Sequence, residues 1–270
     1  MAVLTNNLND VNLATALGAA PGANDEVNIT QHNTAFNNVA TTINFDLLKM
    51  LIGPMFYGGF SASLLFTCNQ ASTGSVEVRG GGQDFIMGST ATANVHNEVF
   101  VKLARPILLT YTACTMNKLR HYAGRLFLEN SCVATDVIHK FGDLTLDGGV
   151  APPTTTAYLG KGGSLTNNRI ITTGSLDGDS LLTMDNAAGG FGTLNWAGKY
   201  FTWLRGNITT KLNAYSGTID MRGLKAAPTI ADYLIGEDVT VLLPPKNIMA
   251  NPFTNAAKYI GGGPKILHAS

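Results

Sequence analysis

Charge is scarce in this chain. Acidic and basic side chains make up 13% of it, and 18 Lys+Arg balance 18 Asp+Glu. That share is about half the usual one. With no net charge, nothing draws the protein electrostatically to nucleic acid or to an anionic membrane. Cysteine is scarce too. Cys68, Cys114 and Cys132 are odd in number and widely spaced. No CxxC pair and no His/Cys cluster has zinc-ligand spacing, so neither metal nor cofactor is expected, and the cysteines read as buried, reduced thiols. Long apolar runs are missing as well. The nearest is "MLIGPMFYGGFSASLLF" (50–66), which Gly53-Pro54 and Gly58-Gly59 interrupt. A spanning helix needs roughly 20 predominantly apolar residues, so two short buried strands around a turn are expected there. The opening "MAVLTNNLND" lacks a basic region followed by an apolar run, which predicts synthesis and folding in a cytoplasm.

Glycine, asparagine, threonine and serine take over the polar work, with 30 glycines in all. Gly and Asn tolerate positive φ and Thr favours strands, so the bias suits turns and extended structure over helices. A surface this poor in charge is weakly protected against association. It fits either a neutral monomer or a chain whose surface is covered by neighbours.

One seven-residue phrase recurs. "GSVEVRG" occupies 74–80, "GDLTLDG" 142–148, "GTLNWAG" 192–198 and "GTIDMRG" 217–223. Each has a glycine, a polar residue, two apolar residues one position apart, and a closing glycine. Looser copies fall between: "EVFVKL" (98–103), "GRLFLEN" (124–130), "NRIITTG" (168–174) and "EDVTVLL" (237–243). The resulting pairs are Val76/Val78, Val99/Val101, Leu126/Leu128, Leu144/Leu146, Ile170/Thr172, Leu194/Trp196, Ile219/Met221 and Val239/Val241. Successive pairs are 18 to 27 residues apart. A repeat of about 20–50 residues marks a solenoid, propeller or array.

Residues one position apart share a face of a strand. The residue between them (Glu77, Thr145, Asn195, Asp220 or Thr240) is polar, as an outward position requires. Stacked strands from successive coils, about 4.8 Å apart, would then share a continuous apolar interior. The bracketing glycines would turn the corners. The pattern predicts an all-β parallel solenoid over 27–243 with coils of about 25 residues and three strands. The alternative is an antiparallel β-sandwich, since "TINFDLL", "ILLTYTA" and "YFTWL" also suit a meander.

The ends differ from the middle. Residues 1–26 place Leu4, Leu8, Val11 and Leu17 near helical spacing before a Pro-Gly break, and read as an arm with one short helix. Residues 244–270 are rich in proline and glycine and read as an extended arm. Such arms can cover the open ends of a solenoid or reach a neighbouring subunit.

Motifs with possible chemistry are few. "GDSL" (178–181) carries the letters of an esterase-family motif, with Ser180 as nucleophile. The Asp-x-x-His pair this chemistry needs is missing, because His268 has Lys265 three residues before it. Asp177 and Asp179 offer a carboxylate pair, but glycan cleavage would need acids and aromatics aligned on one face. Lys118, Arg120 and Arg125, beside His121, form the one basic cluster and a possible docking patch.

On the four quoted repeats, the chain resembles right-handed parallel β-helix proteins over roughly 60–243. Among these it is most similar to bacteriophage structural proteins: decoration or cement proteins and spikes. The resemblance implies a non-enzymatic virion protein, made in the host cytoplasm and probing for no nucleic acid or membrane. Its partner would be a capsid or other virion protein, and it would form a homo-oligomer, a trimer or dimer. Leu4, Leu8, Leu17, Phe253, Tyr259 and Ile260 in the arms would be the anchors. The alternatives are a spike that binds or cleaves polysaccharide and a self-polymerising envelope or filament subunit.

Overall fold

The computed structural model describes residues 3–5, 18–19, 25–29, 36–43, 47–52, 64–70, 75–80, 85–88, 95–103, 108–111, 114–129, 131–149, 153–247 and 249–269. They form two compact units, Met1–Asp136 and Val137–Ser270. Each unit is a parallel β-solenoid. No α-helix occurs among the described residues, and the one helical turn is a 3-10 turn over Ala256–Lys258.

The first unit contains β1 (Val3–Thr5), β2 (Glu26–Ile29), β3 (Phe36–Ile43), β4 (Leu47–Ile52), β5 (Leu64–Gln70), β6 (Ser75–Gly80), β7 (Phe85–Gly88), β8 (Val95–Leu103), β9 (Leu108–Tyr111), β10 (Thr115–Ala123) and β11 (Arg125–Leu128). The division between the units falls within β12 (Val133–His139). Two parallel ladders run through the first unit. One joins β1, β2, β4, β6, β8 and β10, with Leu4↔Val27, Val27↔Leu48, Leu48↔Val76, Val76↔Val99 and Val99↔Leu119 in register. The other joins β3, β5, β7, β9 and β11.

The second unit contains β13 (Asp143–Leu146), β14 (Thr154–Lys161), β15 (Ser164–Asn167), β16 (Ile170–Asp177), β17 (Leu181–Met184), β18 (Gly190–Ala197), β19 (Tyr200–Trp203), β20 (Asn207–Asp220), β21 (Tyr233–Leu243), β22 (Tyr259–Ile260) and β23 (Lys265–His268). Its first ladder is β14, β16, β18, β20, β21 and β22. Its second is β13, β15, β17, β19, β20, β21 and β23. The long β20 and β21 serve both. Every pair named here is parallel, which favours the solenoid and not the antiparallel sandwich.

Burial of one alternating face drives the assembly. Val76, Val99, Val101, Leu126, Leu128, Leu144, Leu146, Leu194, Trp196, Ile219, Met221, Val239 and Val241 are all buried. Glu77, Thr145, Asn195, Asp220 and Thr240 are half-exposed between them. The ladders of the second unit meet through aromatic rings. Trp196 of the first ladder lies 5.6 Å from Phe201 of the second, which stacks on Trp203 at 5.1 Å. Residue sizes compensate along a ladder, as close packing demands: Trp196 is in register with Ala214, and Gly160 with Leu176. At Gly174 the Phe191 ring occupies the space of a side chain, since a Cβ would come within 2.5 Å of it.

Three expectations change. The pair Ile170/Thr172 is one position out: Ile170 is 41% exposed, and Ile171 fills the interior instead. In "IITT" two identical residues are adjacent, so hydropathy cannot choose the phase. Strand β16 also bends, placing Thr172 and Thr173 outward in succession before Gly174 turns in. The repeat is also less even than a steady 25 residues. In-register partners are 16 residues apart at Tyr158↔Gly174 and 28 apart at Leu48↔Val76. The pairs read from the sequence fall on both ladders: Val76 and Val99 lie on the first, Leu126 on the second. Their spacing therefore mixes whole coils with parts of coils. Third, the described coils pair through two ladders, with β14, β16 and β18 bent at paired outward residues.

The two ends lie along the solenoid where they are described. Leu4 is in β1, paired to β2. Leu8, Val11 and Leu17, with the short helix expected there, lie outside the described residues. In the C-terminal stretch the 3-10 turn Ala256–Lys258 leads into β22, and β22 and β23 continue the ladders of β21. On either side of the 50–66 run, β4 and β5 are the two expected strands, and the turn between them lies outside the described residues. Among the described residues no helix is long and apolar enough to cross a membrane.

Candidate functional site

The second ladder of the second unit presents a regular outward surface. Strands β13, β15, β17 and β19 are each four residues long and alternate outward and buried positions. Leu144, Leu165, Leu182 and Phe201 point inward in register. The next residue outward is threonine every time: Thr145, Thr166, Thr183 and Thr202 form one in-register row across four coils. Threonine suits this position because its branched β-carbon fits a pleated surface while its hydroxyl stays wet. Beside it runs a second row of Asp143, Ser164, Leu181, Tyr200 and Thr218. Leu181 is 42% exposed within it.

The row ends in a polar cluster. Asp220, in register with Thr202, accepts hydrogen bonds from Arg222 at 3.0 and 2.8 Å and from the Tyr200 hydroxyl. The Arg222 hydrogen bond, with that of Tyr200, holds the Asp220 carboxyl down at about 2 despite partial burial. The bond to Asp220 raises Tyr200. An ionised carboxylate so held cannot serve as a proton donor near neutral pH.

The first ladder of the same unit carries an amide row. Asn213 Nδ2 donates to Asn195 Oδ1 at 2.9 Å, and Asn195 Nδ2 donates to Ser175 Oγ at 3.2 Å. Such stacked amides tie successive coils together on the outside, as the apolar face does within.

The residues singled out for chemistry are placed otherwise. Ser180 is buried; its Oγ donates to the Asp177 carbonyl at 2.6 Å and accepts from the Gly162 amide at 2.9 Å. Both bonds tie down a turn. Ser180→Ala should cost about 1 kcal/mol of stability, read as a lower urea midpoint. Asp177 and Asp179 are exposed at that same turn, and Asp177 is in register with Lys161. Trp196 and Trp203 are fully buried. Neither can line a sugar-binding face beside the aspartates, because an indole in the core cannot stack on a ligand.

The basic cluster is split by the corner at Gly124. Lys118 and Arg120 lie outward on β10, whereas exposed Arg125 lies on β11 of the other ladder. Arg120 pairs with Glu98 at 2.8 Å. Nearby, Arg79 bonds Glu77 and sits 4.8 Å over the Phe100 ring, which adjoins Tyr122 at 5.1 Å. The face is mixed in charge, and His121 points into the core. Of the C-terminal anchors, Phe253 is fully buried against Tyr233 in its own unit, ring centroids 5.2 Å apart. It is therefore not available to a neighbour. Tyr259 is half-buried and bonds the Phe253 carbonyl, while Ile260 is exposed.

The threonine row was missed in the sequence, although a signal exists. Each copy reads apolar-Thr-apolar or nearly so: "DLTL", "SLTN", "LLTM", "YFTW". His96 and His139 stand alone in the sequence, without metal spacing, and both are buried. His96 and His139 are both lowered from 6.5 to about 4 by burial. Tyr158 Oη lies 2.6 Å from His139 Nδ1, and Gly142 O lies 3.2 Å from Nε2. Among the described residues no three His, Cys, Asp or Glu side chains gather as a metal site would require.

Fold and surface together define the class: a parallel β-solenoid with in-register outward rows. Compared with protein-family models, curated proteins and solved structures, the chain shows no match.

Proposed function

We propose that this chain is a non-enzymatic structural protein of a virion, a capsid decoration or cement protein that binds neighbouring shell subunits through its outward rows. The observation that carries the reading is the row Thr145, Thr166, Thr183 and Thr202, with Leu181 and Tyr200 beside it. Interface cores are depleted of charge and enriched in aromatic residues. Threonine methyls can be buried at little cost, and their hydroxyls can exchange water for partner groups. A rigid ladder keeps such groups ordered before binding, which lowers the entropic cost of docking.

The self-polymerising alternative is opposed by the coil of β22 and β23. Its strands, β22 and β23, have two and four residues, with Gly261–Gly263 and Pro264 between them and Lys265 at the start of β23. Short strands, proline and lysine are how natural edges resist pairing with another chain.

The test is co-sedimentation with the particle fraction of the source culture, alongside light scattering of the purified chain. A triple variant, Thr166→Lys with Thr183→Lys and Thr202→Lys, should keep its circular dichroism, because all three positions face outward. Its particle binding should fall tenfold or more, since three charges would have to be desolvated. Undiminished binding by the folded variant would refute the assignment of this face.

A further inference from the structure

We propose that Cys114 and Cys132 form a disulfide that staples consecutive coils of the first unit. Both side chains are buried and not joined by a disulfide, and their sulfurs face each other at 3.6 Å. They occupy equivalent places, each one residue before a strand: Cys114 before β10 and Cys132 before β12. The Val133 amide donates to the Cys114 carbonyl at 2.7 Å, and the Cys132 amide donates to the Glu129 carbonyl at 2.8 Å. The backbone thus fixes both positions whether or not the sulfurs are joined. Neighbouring strands lie about 4.8 Å apart, and bridged cysteines have Cα atoms about 4.4–6.8 Å apart. Closing the remaining gap between the sulfurs calls for rotation of the side chains only.

The oxidant is a low-molecular-weight disulfide. One cysteine loses its proton, and its thiolate attacks the oxidant's S–S bond, releasing one small thiolate and leaving a mixed disulfide. The second cysteine, also deprotonated, attacks the protein-side sulfur and expels the other small thiolate. Two electrons pass to the oxidant and two protons leave the protein. Burial disfavours thiolates, so the bond forms while the start of β10 or β12 is open, during folding or local breathing. Oxidation seals a site that the closed coil shields from reagents.

Trypsin separates the three cysteines, because Arg105 precedes Pro106 and is not cut: Cys68 falls in 50–79, Cys114 in 103–118 and Cys132 in 126–140. The full chain is incubated with oxidised glutathione under native conditions, quenched in acid, alkylated and digested without reductant. The expected product is 103–118 joined to 126–140, two hydrogens lighter than the sum of the free peptides. Recovery of the two peptides singly, with alkylated or glutathionylated thiols, would overturn the proposal. So would either one joined to 50–79. The oxidised chain should melt roughly 5–10 °C higher, and Cys132→Ala should abolish that rise. A linked chain with an unchanged melting point would overturn the stapling role. The peptide map of the natural sequence decides on the bond even if the variant does not fold.

Discussion

Replacing Gly217 by alanine should abolish or nearly abolish the fold of the second unit. Gly217 opens one copy of the repeated phrase and Gly198 closes the copy before it. In the stacked coils these glycines meet. Gly217 has a φ of +92°, and a Cβ built there would lie 1.9 Å from the Gly198 carbonyl oxygen. Backbone cannot swing aside as a flexible side chain can, and Thr218 is tied to the same coil through its amide bond to the Lys199 carbonyl at 3.1 Å. Two penalties add, the left-handed backbone and the collision between coils. Together they should cost about 4 kcal/mol or more, at the extreme of single substitutions. Gly178→Ala is the control. It shares a positive φ, +61°, but nothing lies within 4 Å of its Cβ. It should cost only about 1–2 kcal/mol. Urea unfolding followed by tryptophan fluorescence reads this unit specifically, because both tryptophans, Trp196 and Trp203, are buried in it. Equal midpoints for the two variants would refute the collision argument.

That contrast shows which parts of the fold were legible. Bracketing glycines with alternating apolar pairs were readable because each expresses a local demand: an inward face of period two and a corner without a Cβ. The phase was readable wherever polar and apolar residues alternate, as in "LTL", and ambiguous where they do not, as at Ile170 and Ile171. The coil length was not readable. Both ladders use the same side-chain pattern, and only register tells a whole coil from the step between ladders. The site was less legible still. A threonine row needs four strands to be aligned before it exists, and one threonine between apolar residues is merely an ordinary outward position. Nor could the sequence separate Phe253 from Ile260. Both look like apolar arm residues, yet the chain's return along β21 buries one and exposes the other.

Mild acid should weaken both units well before carboxylates begin to protonate. His96 belongs to the first unit and His139 to the second, and burial lowers each from 6.5 to about 4. At His139, hydrogen bonds from the ring to backbone carbonyls and the charge of Asp143 oppose the lowering without cancelling it. The native state holds each ring neutral, whereas the unfolded chain takes up a proton below its ordinary value of 6.5. Their contribution is therefore complete above pH 6.5 and is lost as the pH falls from there through about 4. A depression of that size corresponds to about 3 kcal/mol for each histidine. Asp220, lowered to about 2 chiefly by Arg222, releases its contribution only further down, between its ordinary value of 3.8 and that pH. The two windows are thus distinct. Hydrogen exchange read peptide by peptide at pH 7, 5.5 and 4.5 should show protection falling in both units. His96→Gln should flatten the response in the first unit and His139→Gln in the second, at the cost of some stability at neutral pH. A decline between pH 6.5 and 4 that persists undiminished in the double variant would show that other groups carry it. Selective flattening would establish that each solenoid unit holds an uncharged histidine inside its coil as a condition of its stability.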